Sequence, residues 1–502
     1  MFLNRIKVNL SFILIFLLAA FLLSINVNKP FIGHHDFNGA LFSQIASNLT
    51  KYKISETKLA LASGSGPQTS QSFEYYTHNV PLHPWLISVM FLFFSKGEWQ
   101  ARLLSVIFTL ASLIFVYAIA GRLISKLAGL LASLFFVSSA MFIYFGSSVF
   151  AEPVGIFFCL GSFYFFILWQ SSKKSSHFLI LSFFTFLSLI SVWASYFLTY
   201  ILILYYLIFN KRKELKKIMF LVLLPVFVFL LFLFYIYLHT GSLFGGGIIE
   251  AFLFRSNISP HERSYFTLGN FVLEETHRLV AYYSKVTILL TISWFGLILI
   301  KITKREFQSR DFLLLALFLW GISYPLFFRN AAYIHDYFLI YLAPFLALSS
   351  AYFLIHIYSF IARLKPNFKT YILVLIFLVP FASFLQIKNF ANALIASNAN
   401  RDGYELGILL NKKTSYYDKI LVLSGQFGAH FGIFTNYYAN RNIIYQDTTL
   451  VELKEKNLDK KYDWVVFVKN RDTKEDVRDY LSQHYPEVTM DLFEIFKTKN
   501  ER

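Results

Sequence analysis

The chain has 502 residues, 56% of them hydrophobic and 15% charged, with a formal net charge of +17 and a mean hydropathy of +0.54. This excludes an ordinary soluble enzyme. Many separate apolar runs approach the roughly 20 helical residues that cross a hydrocarbon core, so the fold class is a polytopic α-helical membrane protein.

In chain order, the first apolar run, Leu10 to Ile25, follows Arg5 and Lys7. No small-residue cleavage site comes after it, so it reads as a first span and not as a signal peptide. Spans are expected near 10–26, 102–122, 127–144, 152–170, 177–192, 196–210, 218–238, 284–300, 312–328, 337–360 and 371–388, about eleven in all. Within 177–210 the pattern allows two short spans around "WASYF" or one long helix with a surface segment, and the basic runs at both ends require an even number of crossings. The segments between spans alternate in charge. Arg5 and Lys7, Arg122 and Lys126, "SSKKSS" at 171–176, "KRKELKK" at 211–217, "KITKREFQSR" at 301–310 and "ARLKPNFK" at 362–369 are the positive-inside set. That accounts for the basic balance without nucleic acid. The other set faces outward: a first large loop at 27–101, turns near 145–151 and 193–195, a second large loop at 239–283, a turn at 329–336 and everything after 389. The orientation is therefore N-in and C-out.

Two stretches, "ASGSGPQTSQS" at 62–72 and "GSLFGGG" at 241–247, read as linkers or as hinges of a lid. The single cysteine, Cys159, lies in an apolar run, so no intramolecular disulfide is possible. Residues 390–502 change character. "DKILVLS", "RNIIYQD" and "YDWVVFVKN" read as short buried strands, and "TKEDVRDYLSQH" as a surface helix with Thr473 and Asp476 spaced as a capping box. The expected organisation is a transmembrane part, 1–389, and a small extracytoplasmic α/β domain, 390–502, with no nucleotide-binding glycine loop.

Unusual polar residues gather in the outward set. They are His34, His35 and Asp36; His78 and His83; Glu152; Arg255, Arg263 and Arg278; and Arg329, His335 and Asp336. This suits a site for an amphiphilic substrate with its tail in lipid and its head outside. Each residue also has a plainer reading. Asp36 precedes Phe37, Leu41, Ile45 and Leu49, the stripe of an amphipathic helix, and Asp is a favoured N-cap. Glu152 before Pro153 fits an ordinary helix start. His335 and Asp336 fit a hydrogen-bonded interfacial pair, and the arginines fit contacts to lipid phosphates. His34 and His35 do not make a metal site, because adjacent residues rarely point at one ion and no Cys or HxH spacing supports one.

The order of first span, outer Asp with a surface helix, "HNVPLHPWL", and "WQARLLSVIFTLASLIFVYAIAGRL" resembles the GT-C glycosyltransferases. It is most similar to the branch holding dolichyl-phosphate-mannose–protein mannosyltransferases and bacterial lipid A aminoarabinose transferase. The resemblance covers residues 10–170 and continues in "IHDYFLIYLAPFLAL" at 334–348; elsewhere only the layout matches. It implies transfer of a sugar from a polyprenyl-phosphate carrier to an acceptor hydroxyl at the non-cytoplasmic face, with Asp36 as catalytic base and Glu152 as the acid of the second outer loop. The family's Glu after the first-loop Asp is Phe37 here. The Lys that would hold the carrier phosphate is Asn79, so that role passes to His78, Arg255, Arg329 or His335, with His35 and Asp336 in support.

The chemistry agrees with the residues. A phosphate leaving group needs positive charge and little acid help, while an acceptor hydroxyl needs a base as it attacks the anomeric carbon. The expected partners are the carrier-linked sugar, an acceptor glycan, lipid or protein, and membrane lipids. No nucleic acid and no certain cofactor is expected; a divalent cation stays open. The short loops and the Lys-, Asn- and Phe-rich make-up point to a bacterial plasma (inner) membrane. The alternatives are a lipid or glycan transporter or flippase, which would be expected to carry ionisable groups at mid-membrane, and an O-antigen ligase or polymerase.

Overall fold

The computed structural model describes residues 10–69, 71–210, 214–258, 266–469, 475–490 and 492–499. Arg5, Lys7, the first residues of the "KRKELKK" run, Arg263 and Thr473 lie outside them. The chain forms two compact units. One comprises residues up to Asn28, Thr77–Leu86 and Arg102–Ile395; the other comprises Lys29–Tyr76, Ile87–Ala101 and Ala396 onward.

The first unit is helical. Across the described chain, seven apolar helical stretches are long enough to cross a membrane: Glu98–Leu123, Ala151–Ser172, Leu215–Thr240, Leu268–Thr303, Ser309–Phe327, Asp336–Leu364 and Pro366–Lys413. Shorter apolar helices are Leu10–Ser24, Leu82–Phe94, Lys126–Val137, Ser175–Leu189 and Ala194–Phe209. The stretch 177–210 is thus two helices. Leu82–Phe94 has 13 residues, about 20 Å of helix, too short for a hydrocarbon core of about 30 Å.

Several expected spans depart from a straight α-helix. The run 127–144 closes on a π-helical turn, Met141–Phe145. The run 337–360 opens as a 3-10 helix, Asp336–Leu342, before the α-helix Ala343–Leu364 with Pro344 in its first turn. Leu268–Thr303 is broken at Ser284, which is left-handed (φ 73°). The Ser284 hydroxyl accepts from the Thr287 amide at 3.2 Å and shares a hydrogen bond with Ser383 Oγ at 2.7 Å. These bonds restart the helix at the residue where a span was expected to begin. The core is aromatic and aliphatic, with Trp169, Trp294 and Trp320 fully buried. A largely buried ion pair, Lys301 with Asp311 at 2.9 Å, also takes a hydrogen bond from Tyr352 to Asp311 at 3.0 Å.

The second unit is α/β. Strands β1 (Lys419–Val422), β2 (Asn442–Tyr445), β3 (Trp464–Val468), β4 (Glu487–Met490) and β5 (Phe493–Lys497) form one sheet in the order β2-β1-β3-β5-β4. The first three are mutually parallel, and β5 runs antiparallel to both β3 and β4. Alternation puts Ile420, Val422, Val466 and Ile495 into one core and Leu421, Leu423, Val465 and Phe496 into the other, so both faces are covered. The N-terminal stretch 29–76 folds as part of this unit: its helix Phe37–Lys51 packs on the helix Gly425–Ala439, with Phe37 edge-on to Phe434.

Arg441 locks two helix ends together. Its buried guanidinium donates to Asn411 O, Thr414 O, Thr414 Oγ1, Ala439 O and Asn440 O at 2.7–3.2 Å. A lysine has three donors on a point charge and cannot match that fork. Arg441→Ala is expected to destabilise the α/β unit by about 3 kcal/mol, since it strands buried carbonyls, and Arg441→Lys by less. Chemical unfolding of the detergent-solubilised protein measures both, and an unchanged midpoint for Arg441→Ala contradicts the assignment.

Candidate functional site

Asp36 sits at the first residue of the turn into helix Phe37–Lys51, but its carboxylate makes no capping bond. It turns back instead: Oδ2 accepts from the Gly33 amide at 2.7 Å, while the Asp36 amide donates to Gly33 O at 3.3 Å. His35 between them is left-handed (φ 55°), and its ring lies 4.1 Å from that of His34. Asp36 is 2% exposed. The capping reading of this carboxylate is thereby corrected, because the tight turn directs it away from the helix amides.

In the helical unit, two of the expected residues meet although 177 positions separate them. Arg255, the last residue of helix Ile248–Arg255, donates through Nη1 to the carbonyl of His78 at 3.1 Å. The His78 ring lies 3.1 Å from Gly246 O, which also accepts from Thr77 Oγ1 at 2.8 Å, and the Trp193 indole donates to His78 O at 3.3 Å. Gly246 and Gly247 have positive φ (69° and 77°), which lets the "GGG" run make this sharp approach. Burial, and then the neighbouring Arg255 charge, lower the His78 pKa, so its ring is neutral near pH 7 and acts as a hydrogen-bonding group.

His78 and Arg255 form the polar end of a cavity of about 490 Å³. Its walls are apolar and ring-rich, with Trp193, Phe197, Tyr200 and Phe229 among them, and Pro225 contributes from the helix Leu215–Thr240. The hydroxyl of Tyr196, in the same wall, is buried with no hydrogen-bond partner among the described residues. The lining suits a mostly apolar ligand that carries one anionic group.

Beside this lies a second cluster. Glu152 is in the first turn of helix Ala151–Ser172, 9% exposed, and hydrogen-bonded by the Tyr341 hydroxyl; the Arg255 charge acts on it as well. Pro153 in that first turn means that the helix-start reading of this residue also holds. Asp336 Oδ2 accepts from the Tyr282 hydroxyl at 2.5 Å. One turn earlier on the same helix, Arg278 pairs with Glu274 and Glu275 and donates to Ala332 O and Tyr333 O at 2.9 Å. Arg278 thus braces the last carbonyls of helix Arg329–Ile334 immediately before His335 and Asp336, which is an internal use and not a contact to lipid phosphate. The His335 ring packs near Tyr337 and Phe338, and Arg329 is exposed. Neither lines the cavity.

The sequence reading passed over Arg102, whose side chain is fully buried, and Tyr282. Arg102 stands at the polar start of an apolar run, after Lys96, Glu98 and Gln100, where an exposed residue is the ordinary expectation. Tyr282 carried no signal, since its role depends on a contact 54 residues away. In the α/β unit, the helix after β1 resembles an anion site in position only. Ser424 caps it, and Asp447 Oδ1 accepts from the Gly425 amide at 2.7 Å, so the chain's own carboxylate fills that place.

Residues 78–237 match the family model described as dolichyl-phosphate-mannose-protein mannosyltransferase. No curated protein sequence matches the chain significantly. Among solved structures, the fold is similar to ArnT from Cupriavidus metallidurans bound to undecaprenyl phosphate, with TM-score 0.63, 11% identity, and 97% of this chain and 98% of that one covered. It is also similar to the archaeal oligosaccharyltransferase AglB from Archaeoglobus fulgidus in complex with an inhibitory peptide and a dolichol-phosphate, with TM-score 0.56, 12% identity, and 91% and 69% covered. Residues 78–237 thus match a mannosyltransferase family model, and the fold over nearly the whole length is that of ArnT.

Proposed function

We propose that this protein is an inverting glycosyltransferase that moves a sugar from a polyprenyl-phosphate carrier to an acceptor hydroxyl at the outer face of the plasma membrane. The observation that carries this reading is the apolar cavity that His78 and Arg255 line together. A polyprenyl chain fills its ring-lined body. The carrier phosphate meets the Arg255 guanidinium, the neutral His78 ring and the Tyr196 hydroxyl. A charge-assisted bond from arginine is the strongest of these and replaces the cation lost at Asn79. The two similar solved structures, one bound to undecaprenyl phosphate and the other in complex with a dolichol-phosphate, support the carrier class. About eleven spans with the N-terminus inside place residues 27–101, 239–283 and the α/β domain outside.

In this reading the acceptor oxygen attacks the anomeric carbon as the bond to the carrier phosphate breaks. The electron pair leaves with the phosphate, whose charge Arg255 balances, and the hydroxyl proton passes to Asp36 as the new bond forms. A single displacement inverts the anomeric centre through an oxocarbenium-like state. Glu152 is the second carboxylate of the site. In the helical unit Asp336 and His335 are supporting groups and Arg329 is a further contact for the donor head; in the α/β unit His35 supports the turn that bears Asp36. The acceptor is a hydroxyl of a glycan, lipid or protein.

Asp36→Asn is expected to lower kcat about 10²–10⁴-fold, the usual range for a general base, with the donor KM retained; near-normal transfer in membranes with equal protein levels rules the base out. Arg255→Gln is expected to raise the donor KM about tenfold or more, as loss of a charged hydrogen bond does. Donor affinity should also strengthen as pH falls through the lowered pKa of His78, below the usual histidine range, because protonation there adds positive charge beside the phosphate. His78→Gln should abolish that rise. Titration of labelled polyprenyl-phosphate sugar across pH tests it, and a flat wild-type profile contradicts it.

A further inference from the structure

We infer that the C-terminal α/β unit is part of the catalytic apparatus, with Asn400 as a positioning residue that holds the turn bearing Asp36. The inference rests on Asp36 being the base. The hydrogen bonds converge on four residues of the segment just before that carboxylate. Lys29 Nζ donates to Ser397 O. The Phe31 amide donates to the Tyr438 hydroxyl at 2.7 Å, and its ring is fully buried near Tyr437. Asn400 then takes both of the next residues: its amide donates to Ile32 O at 3.0 Å, and its Nδ2 donates to Gly33 O at 2.7 Å.

Gly33 is the hub of the turn. Its carbonyl receives Asn400 Nδ2 and the Asp36 amide, and its own amide donates to Asp36 Oδ2. Two hydrogen bonds in series therefore run from the Asn400 amide, through the Ile32–Gly33 peptide group, to the carboxylate oxygen, while Asn400 Nδ2 fixes the following peptide group through Gly33 O. On the other side of the turn, Gly39 leaves room for the Phe31 ring, where an added Cβ would meet Phe31 Cδ1 at 2.6 Å. A turn containing a left-handed histidine does not hold its shape alone, because that conformation is costly outside glycine. The clamp from 397–400 and 438 supplies the constraint. The fold has a reason to place it here: the peptide groups of 31–33 are irregular and mostly buried, so they need partners that no helix or strand provides.

A misplacement of about 1 Å in a reacting group costs on the order of 10²-fold in rate. Asn400→Ala and Asn400→Asp, the second of which sets a carboxylate against Gly33 O, are expected to lower kcat by about 10- to 100-fold, with the donor KM within about twofold and the unfolding midpoint little changed. Tyr438→Phe, which removes the acceptor of the Phe31 amide, is expected to act in the same direction and less strongly. The discriminating measurement is a double-mutant cycle with Asp36→Asn, because a residue acting through Asp36 has no further effect once the carboxylate is gone. If Asn400→Ala leaves kcat unchanged, or lowers it equally in the wild-type and Asp36→Asn backgrounds, the inference is overturned. If Asn400→Ala fails to fold, the same cycle run with Tyr438→Phe decides. Full transfer by Asp36→Asn alone instead overturns the base reading on which this one rests.

Discussion

The bond from Arg255 to the carbonyl of His78 joins two distant segments that both line the cavity. Around it the other features fall into place. Gly246 is drawn against Thr77 and His78, the helix Ile248–Arg255 lies along the cavity wall, and Trp193 closes the corner through its own bond to the same carbonyl. In an apolar bundle a guanidinium must have such partners, since leaving one uncompensated costs several kcal/mol. The interaction therefore places positive charge and also keeps the cavity wall in position.

The same rule explains the rest of the polar interior. Arg278 is spent on two glutamates and two helix-end carbonyls, Lys301 on Asp311, and Arg441 on five oxygens of the α/β unit. These charges hold structure. Arg255 differs because it shares the polar end of an apolar cavity with a neutral histidine. This cation enters from a distant helix and reaches the backbone at His78, next to Asn79.

Much of the helical layout was legible in the sequence because apolar length and basic loops are local signals. The break at Ser284 coincides with an expected span start, although no proline or glycine marks it; paired hydroxyls make the break, and their partner Ser383 lies 99 residues away. Strands β1, β2 and β3 were legible as apolar β-branched runs. Strands β4 and β5 were missed because their charges mask the pattern: Glu494 in β5 is 1% exposed and reads as a surface residue, yet it is paired with Arg478 at 2.7 Å and Lys469 at 3.4 Å. The site was legible as residue types but not as pairings. His78 with Arg255, and Asp336 with Tyr282, are contacts between distant segments that no local pattern encodes. The boundary expected at residue 389 also hid the fact that 29–76 folds with the α/β unit.

The carboxylate of Asp447 at the start of helix Gly425–Ala439 carries one more consequence. Parallel strands followed by a capped helix make a cradle that attracts oxyanions through aligned backbone dipoles. Here an internal counter-ion occupies it, and any incoming phosphoryl group would be repelled by like charge. A topology suited elsewhere to gripping nucleotides has thus been sealed by its own chain.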